Sequence, residues 1–373
     1  MKLARARIAP IELPLRAPLA TARGATAARA SAVLTLESDE GALGFGEATP
    51  PWGGASSEAL ATALAELCAP LIGVGLAPLR GALARLDALP SAQPAARFAV
   101  ECALLDLAAR ARGEPLARAL ANGRGPRERV RVNALLRETA PDAAAEEARR
   151  ARGQGFATVK LKVGAEAPER DRRRLFAVRA ALGPAVQMRI DANGAWSAEL
   201  AIAALRELDA LELELAEQPV AARDVAGLAR VRAAVLVPIA ADESAADPAS
   251  AAQVLALGAA DALALKPAAI GGLRASLALA ARARAAGVRT YVTSGLDGAL
   301  ARAAALALAA ALPDPLPACG LATGALLADD LARGLEPKDG ALEVPASPGL
   351  GVAPDPSALA ALACGTPREV ARP

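Results

Sequence analysis

From about residue 130 onward, hydrophobic and polar positions switch regularly between two periods. Short apolar runs at 131–136, 157–162, 186–191, 212–217, 237–242, 262–266, 289–293 and 316–321 read as strands. Between them, 141–152, 169–182, 198–208, 225–234, 248–257 and 272–286 repeat Ala, Leu and Arg with the spacing of amphipathic helices. Strands alternating with helices of this length predict βαβ units and a parallel sheet. The residues at six successive strand ends, Lys162, Asp191, Glu217, Asp242, Lys266 and Ser294, lie 29, 26, 25, 24 and 28 residues apart. So regular a period fits an α/β barrel, whose repeating unit takes about 30 residues. A doubly wound sheet lacks its strand–GxGxxG–helix opening here.

Residues 1–125 follow a different pattern. Runs at 2–13, 32–38 and 43–47 predict strands, the last two joined by a turn at Asp39–Gly41, and 57–69, 78–88 and 95–112 predict helices. An α+β domain over 1–125 is therefore expected to precede a barrel domain over 126–330, with a Gly/Pro linker at 122–126. The tail at 331–373 carries Pro/Gly-rich loops and a short strand at 341–344, and is expected to return to the first domain.

Composition then narrows the chemistry. The longest charge-free stretch, 315–328, is broken by Pro and Gly and falls short of a membrane span. The N-terminus is charged where a signal peptide needs an apolar core, so a soluble cytoplasmic protein without a membrane partner is expected. A net charge of +2, with one Tyr, two Trp and four Phe, offers neither a steering field nor a stacking surface for nucleic acid. Cys68, Cys102, Cys319 and Cys364 are scattered without CxxC spacing, which argues against a disulfide framework. The sequence leaves assembly into a homo-oligomer open.

Histidine is absent from all 373 residues. Ser-His-Asp and Cys-His triads and the usual zinc sites are thereby removed, leaving carboxylates, lysine, cysteine or a metal on oxygen ligands. Only five of the 42 basic residues are lysines: Lys2, Lys160, Lys162, Lys266 and Lys338. Arginine stays charged and cannot take up a proton, whereas a lysine can be tuned to do so, which makes clustered lysines informative against this background.

Active sites of such barrels occupy the C-terminal ends of the strands. That face would carry Asp191, Glu217 and Asp242, flanked by Lys162 and Lys266. One strand-end acid alone reads as a cap of the following helix. Three in register, framed by two of five lysines, read as oxygen ligands for Mg²⁺, with Mn²⁺ as the alternative. A cation there would take up negative charge on a small carboxylate substrate as a lysine removes its α-proton. Lys160 shares the inward face with Lys162 and would act as a second charge lowering its pKa. Arg189 stands in the same relation to Asp191 and would help to position the base. Asn193 reads equally as a hydrogen-bonding neighbour of the site and as a residue of an Asn-Gly turn.

The segments TVKLKVG (158–164), RIDANGAW (189–196), EQP (217–219), ADES (241–244) and LKPAAIGG (265–272) resemble the enolase superfamily, muconate-lactonizing-enzyme subgroup. They occur in order, at the right spacing, and the resemblance covers nearly the whole chain. It implies a modified (β/α)₇β barrel under an α+β capping domain completed by the C-terminal tail. It also implies Mg²⁺ on Asp191, Glu217 and Asp242, and Lys162 and Lys266 as the acid/base pair. Within the subgroup, TSGLDGA (293–299), LPACGLATGALL (316–327) and LPLRAPLATARG (13–24, matching a mobile capping loop) resemble the o-succinylbenzoate synthases. Those enzymes dehydrate a cyclohexadiene carboxylate bearing a hydroxyl and a succinyl group, on the way to menaquinone. The likeness implies that Lys162 removes the α-proton and returns it to the departing hydroxyl, that Lys266 stabilises the opposite face, and that Ser294 helps to hold substrate. Two positions depart from it: Arg23 stands where His is expected, and Gly298-Ala299 replaces a Ser-rich pair. The rival within the subgroup is an N-acylamino acid racemase or dipeptide epimerase using the same two lysines. The dipeptide version is expected to carry acids beyond the eighth strand, and 318–324 has none.

Overall fold

The computed structural model describes residues 1–21, 24–90 and 93–372. It opens on an antiparallel hairpin, β1 (Leu3–Thr21) and β2 (Gly24–Ser38), followed by β3 (Leu43–Ala48). Helices α1 (Ser57–Cys68) and α3 (Pro94–Ala111) pack on the sheet, and α2 (Leu79–Asp87) and α4 (Leu116–Leu120) pack against α3. The hairpin arms run well past the expected strands. Pairing continues through the stretch read as a capping loop, with a register shift between Pro14 and Leu19, where proline lacks the N–H a ladder needs. Arg23 lies outside the described residues.

The barrel follows as β4 (Arg129–Arg131), β5 (Ala134–Leu136), α5 (Pro141–Gly153), β6 (Thr158–Lys162), α6 (Pro168–Leu182), β7 (Gln187–Asp191), α7 (Ala198–Arg206) and β8 (Leu215–Glu217). It continues through α8 (Val225–Ala234), β9 (Ile239–Ala241), α9 (Pro248–Ala256), β10 (Ala262–Leu265), α10 (Pro267–Ile270), α11 (Leu273–Ala285), β11 (Arg289–Val292) and α12 (Ala299–Ala311). The strands from β5 to β11 form one seven-stranded sheet in sequence order, with parallel pairing throughout. Helix starts follow local chemistry: Ser197 and Asp224 cap α7 and α8 through their side chains, and proline opens α5, α6 and α9.

Several expected strands are shorter. The run at 131–136 divides, and its first part, β4, pairs antiparallel with β12 (Ala341–Glu343). The short strand of the tail thus meets the barrel, and it is the end of the tail that reaches the first sheet. Left-handed backbone at Glu212 (φ +47°) delays β8 to Leu215. The eighth strand is reduced to single bridges: Cys319 with Val132 and Gly320 with Thr293 join the two ends of the seven-stranded sheet. The chain then runs through α13 (Pro356–Leu362) to β13 (Arg368–Ala371), which pairs with β1 and completes a sheet in the order β13-β1-β2-β3. No helix among the described residues is long and apolar enough to cross a membrane. Cys68, Cys102 and Cys319 are buried free thiols, and Cys364 is exposed and free.

A single buried carboxylate ties the antiparallel sheet to the barrel. Glu47, on β3, accepts from Gly298 N–H at 2.6 Å and Ala301 N–H at 3.2 Å, at the N-terminus of α12. A Cβ on Gly298 would meet the Glu47 carboxylate at 2.6 Å, so glycine at this position follows from the close approach. Burial, together with Asp330 and Asp297, lifts the Glu47 carboxyl from 4.5 to about 7. The folded state therefore binds a proton here that the unfolded chain releases near pH 4.5, and the stability this supplies is lost as pH rises toward 7. Glu47→Gln is expected to flatten that loss, measured as melting temperature against pH.

Candidate active site

Parallel register places Lys162 beside Asp191 and Asp191 beside Glu217; Asp242 and Lys266 each stand one residue past their strands. Lys160, Lys162, Asp191, Glu217, Asp242 and Lys266 all line one open cleft. The three carboxylates are buried, 2%, 2% and 3% exposed. Lys160 Nζ lies 2.9 Å from Asp191 and 2.7 Å from Glu217. Tyr291 donates its hydroxyl to the other Glu217 oxygen at 2.6 Å, and the Lys266 ammonium is paired with Asp242. Burial pushes the carboxyl pKa of Glu217 and of Asp242 up, more than Lys160 and Lys266 respectively pull it down. For Asp191, burial acts in the same sense, but Lys160 and Lys162 outweigh it and hold the carboxyl below its ordinary value. Burial disfavours the ammonium of Lys160 and of Lys266, yet the surrounding carboxylates prevail and raise both.

Lys160 is thus no bare second charge beside Lys162: its ammonium is spent bridging two carboxylates. Lys162 instead reaches into the cleft and donates to Asn193 Oδ1 at 2.7 Å. Asn193 occupies left-handed backbone (φ +45°), which its short polar side chain tolerates, and its N–H donates to Asp191 Oδ1 at 2.9 Å. Its amide donates in turn to Glu243 at 3.2 Å. Both sequence readings of Asn193 hold at once, turn residue and polar neighbour. Ser294 lies in the cleft wall with its Oγ 2.6 Å from Thr323 Oγ1.

Arg189 departs from expectation. Its guanidinium makes paired bonds to Glu214 at 2.8 and 2.9 Å, reaches the Ala318 carbonyl at 2.7 Å and stacks over the Tyr291 ring. It points away from Lys162 and serves the barrel interior. Arg189→Leu is expected to destabilise the fold by about 3 kcal/mol, because it breaks a buried pair, while the folded fraction keeps its activity. Urea unfolding checks the first part and specific activity the second.

Sequence reading passed over three contributors. Gln218, in left-handed backbone (φ +40°), accepts from the N–H groups of Asp242 and Ser244 at 3.0 Å each and so sets the Asp242 loop. Tyr291, the single tyrosine, was readable only as an apolar strand residue. Trp52 brings an aromatic wall to the cleft from the loop after β3, with the Arg29 guanidinium stacked 4.2 Å from its ring.

Among the described residues, no three His, Cys, Asp or Glu side chains are gathered as a ready group to hold a metal ion. Each strand-end acid turns one oxygen to a lysine instead. The donor chemistry nonetheless fits a hard divalent cation: three buried carboxylates at neighbouring strand ends face only two paired ammoniums.

A curled parallel sheet, an antiparallel companion sheet and lysines flanking strand-end carboxylates define an enzyme of the enolase superfamily. Residues 143–358 match the family model described as "Enolase C-terminal domain-like". Residues 4–120 match "Mandelate racemase / muconate lactonizing enzyme, N-terminal domain". The chain belongs to the muconate-lactonizing-enzyme subgroup of that superfamily. It is 32% identical over 357 residues to the L-Ala-D/L-Glu epimerase of Bacillus subtilis, covering 94% of this chain and 97% of that one. It is 42% identical over 207 residues to the o-succinylbenzoate synthase of Thermobifida fusca, covering 55% and 63%. The dipeptide epimerase of Cytophaga hutchinsonii, solved with Mg and D-Ala-L-Val, superposes with a TM-score of 0.89 at 26% identity over 99% of this chain and 100% of that one.

Proposed function

We propose that the protein is a Mg²⁺-dependent dehydratase that forms o-succinylbenzoate, a step toward menaquinone. The observation that carries this choice is the cleft wall beyond the eighth strand. It is built from Gly320, Ala322, Thr323 and Leu326, with no carboxylate to receive a dipeptide ammonium; this disfavours a dipeptide and leaves an N-acylamino acid, which has no ammonium, as the competitor. The 42% identity to an o-succinylbenzoate synthase supports the same reading.

Asp191, Glu217 and Asp242 would hold the cation, which when bound supplies an electrophile for the substrate carboxylate. Lys162, which projects into the cleft and is steadied by Asn193, accepts the α-proton at Nζ. The electron pair left behind forms the new double bond as the C–O bond to the hydroxyl breaks. Lys162 then returns its proton to the departing hydroxyl, which leaves as water. Lys266, on the far side of the carboxylate row, presents positive charge to the opposite face of the substrate. Ser294 and Trp52 shape the remainder of the cleft.

The second reading, racemisation of an N-acylamino acid or epimerisation of a dipeptide, is favoured by one feature. Lys162 and Lys266 stand on either side of the carboxylate row, as a two-base exchange at one carbon requires, and the epimerase likeness spans nearly the whole chain. Incubation with Mg²⁺ and the hydroxylated cyclohexadiene precursor distinguishes the two. Loss of the diene absorbance, abolished by chelation, is expected; an unchanged spectrum from metal-loaded protein would contradict the dehydratase reading.

A further inference from the structure

A buried ion pair on α6 takes no part in the chemistry described above. Asp171 and Arg174 stand one turn apart on α6, each 6% exposed. Acidic and basic neighbours on a barrel's outer helices ordinarily face water, and this pair faces inward, toward the end of the strand that carries Lys162. Arg174 donates to Asp171 Oδ1 at 2.8 Å, to the backbone carbonyl of Lys162, and at 3.4 Å to the carbonyl of Glu138. Asp171 Oδ2 accepts from the N–H of Gly164 at 2.7 Å. One side-chain pair therefore grips an acceptor and a donor on either side of Val163, just where the ladder of β6 ends.

The grip extends to the other end of the lysine. Gly164 has φ +85°, and a Cβ there would meet Ala195 Cβ at 2.8 Å. The turn after β6 thus rests on the loop bearing Asn193, and Asn193 holds the tip of Lys162. Stability alone is a poor account of the pair. Arg174 Nε is buried with no hydrogen-bond partner, a cost that an apolar side chain would avoid. Lys266 is held otherwise: its carbonyl accepts from Ala269 and Ile270 at 3.0 and 2.9 Å, in the short helix it opens.

We infer that Asp171 and Arg174 are positioning residues for Lys162, and that they act on this lysine and not on Lys266. The inference rests on the reading of Lys162 as the base. A misplacement near 1 Å at a reacting group costs on the order of 100-fold in rate.

The test uses full-length, Mg²⁺-loaded protein as wild type, Arg174→Met and Arg174→Lys. In Arg174→Met, kcat for precursor dehydration is expected to fall by about 10- to 100-fold with KM within about twofold. Arg174→Lys, which keeps a donor for Asp171 and the Lys162 carbonyl, is expected to recover much of kcat. A second readout needs no turnover. Trace acylation with acetic anhydride, read by mass spectrometry, compares each lysine with exposed Lys338. Lys162 labelling is expected to change in Arg174→Met and return in Arg174→Lys, while Lys266 labelling stays fixed. Unchanged kcat with unchanged Lys162 labelling would overturn the inference, and so would Lys162 and Lys266 labelling shifting together. If wild type turns over no substrate, the functional reading fails by itself, and the labelling pattern alone decides whether the pair positions Lys162.

Discussion

Alanine in place of Lys162 is expected to lower kcat by about 10³-fold while the protein folds normally, because general-base catalysis contributes on that order. Lys162 projects into the cleft and makes its hydrogen bond to Asn193 at the tip, so truncation leaves no buried charge unpaired. Melting temperature should move little. Lys266→Ala differs, since it strips the paired ammonium from buried Asp242 and should cost stability as well as activity. Rapid-quench turnover alongside calorimetry separates these outcomes. A fully active Lys162→Ala enzyme would remove that residue from the mechanism.

Chelation is expected to have the next largest effect, a loss of about 10³-fold in turnover that added Mg²⁺ restores. A cation that relieves repulsion among Asp191, Glu217 and Asp242 should also stabilise the fold, by about 2.7 kcal/mol at a concentration 100 times its Kd. Asp191→Asn should abolish both the reactivation and the stabilisation. Thermal shift with and without Mg²⁺ reads the second effect independently of catalysis. Equal shifts in wild type and Asp191→Asn would place the cation elsewhere.

The site was legible in sequence because a barrel converts strand-end position into spatial convergence. A steady period ending in Lys162, Asp191, Glu217, Asp242 and Lys266 suffices to bring them to one face. Depth and partner choice were not legible. Lys160 and Arg189 are register partners, both two residues below the strand ends, about 7 Å down the barrel. Lys160 extends its flexible stem up to Asp191 and Glu217, whereas Arg189 is captured by Glu214, just ahead of β8, and by Tyr291 on β11, four strands away in the sheet. Alternation gives both residues the same face and says nothing of which partner wins. The eighth strand was overestimated because the apolar run at 316–321 resembles a strand, while Pro315 and Pro317 remove ladder donors and leave bridges at Cys319 and Gly320. Glu47 was hidden at the end of an apolar strand: the Thr49 and Ser31 hydroxyls that also donate to it lie in the same part of the chain, but the backbone N–H groups of Gly298 and Ala301 that it holds are some 250 residues away, which no local pattern marks.

A cleft that dehydrates a carboxylate in preference to exchanging an α-proton between two lysines is recognised by its relative rates. The most direct measurement is the ratio of kcat/KM values for one Mg²⁺-loaded preparation. Dehydration of the cyclohexadiene precursor is set against α-proton exchange in D₂O on N-succinylamino acids and on L-Ala-L-Glu. A ratio well above one is expected against both competitors. A ratio below one, with exchange lost in Lys162→Ala and in Lys266→Ala alike, would contradict the dehydratase reading and identify a racemase or epimerase built on the same lysines.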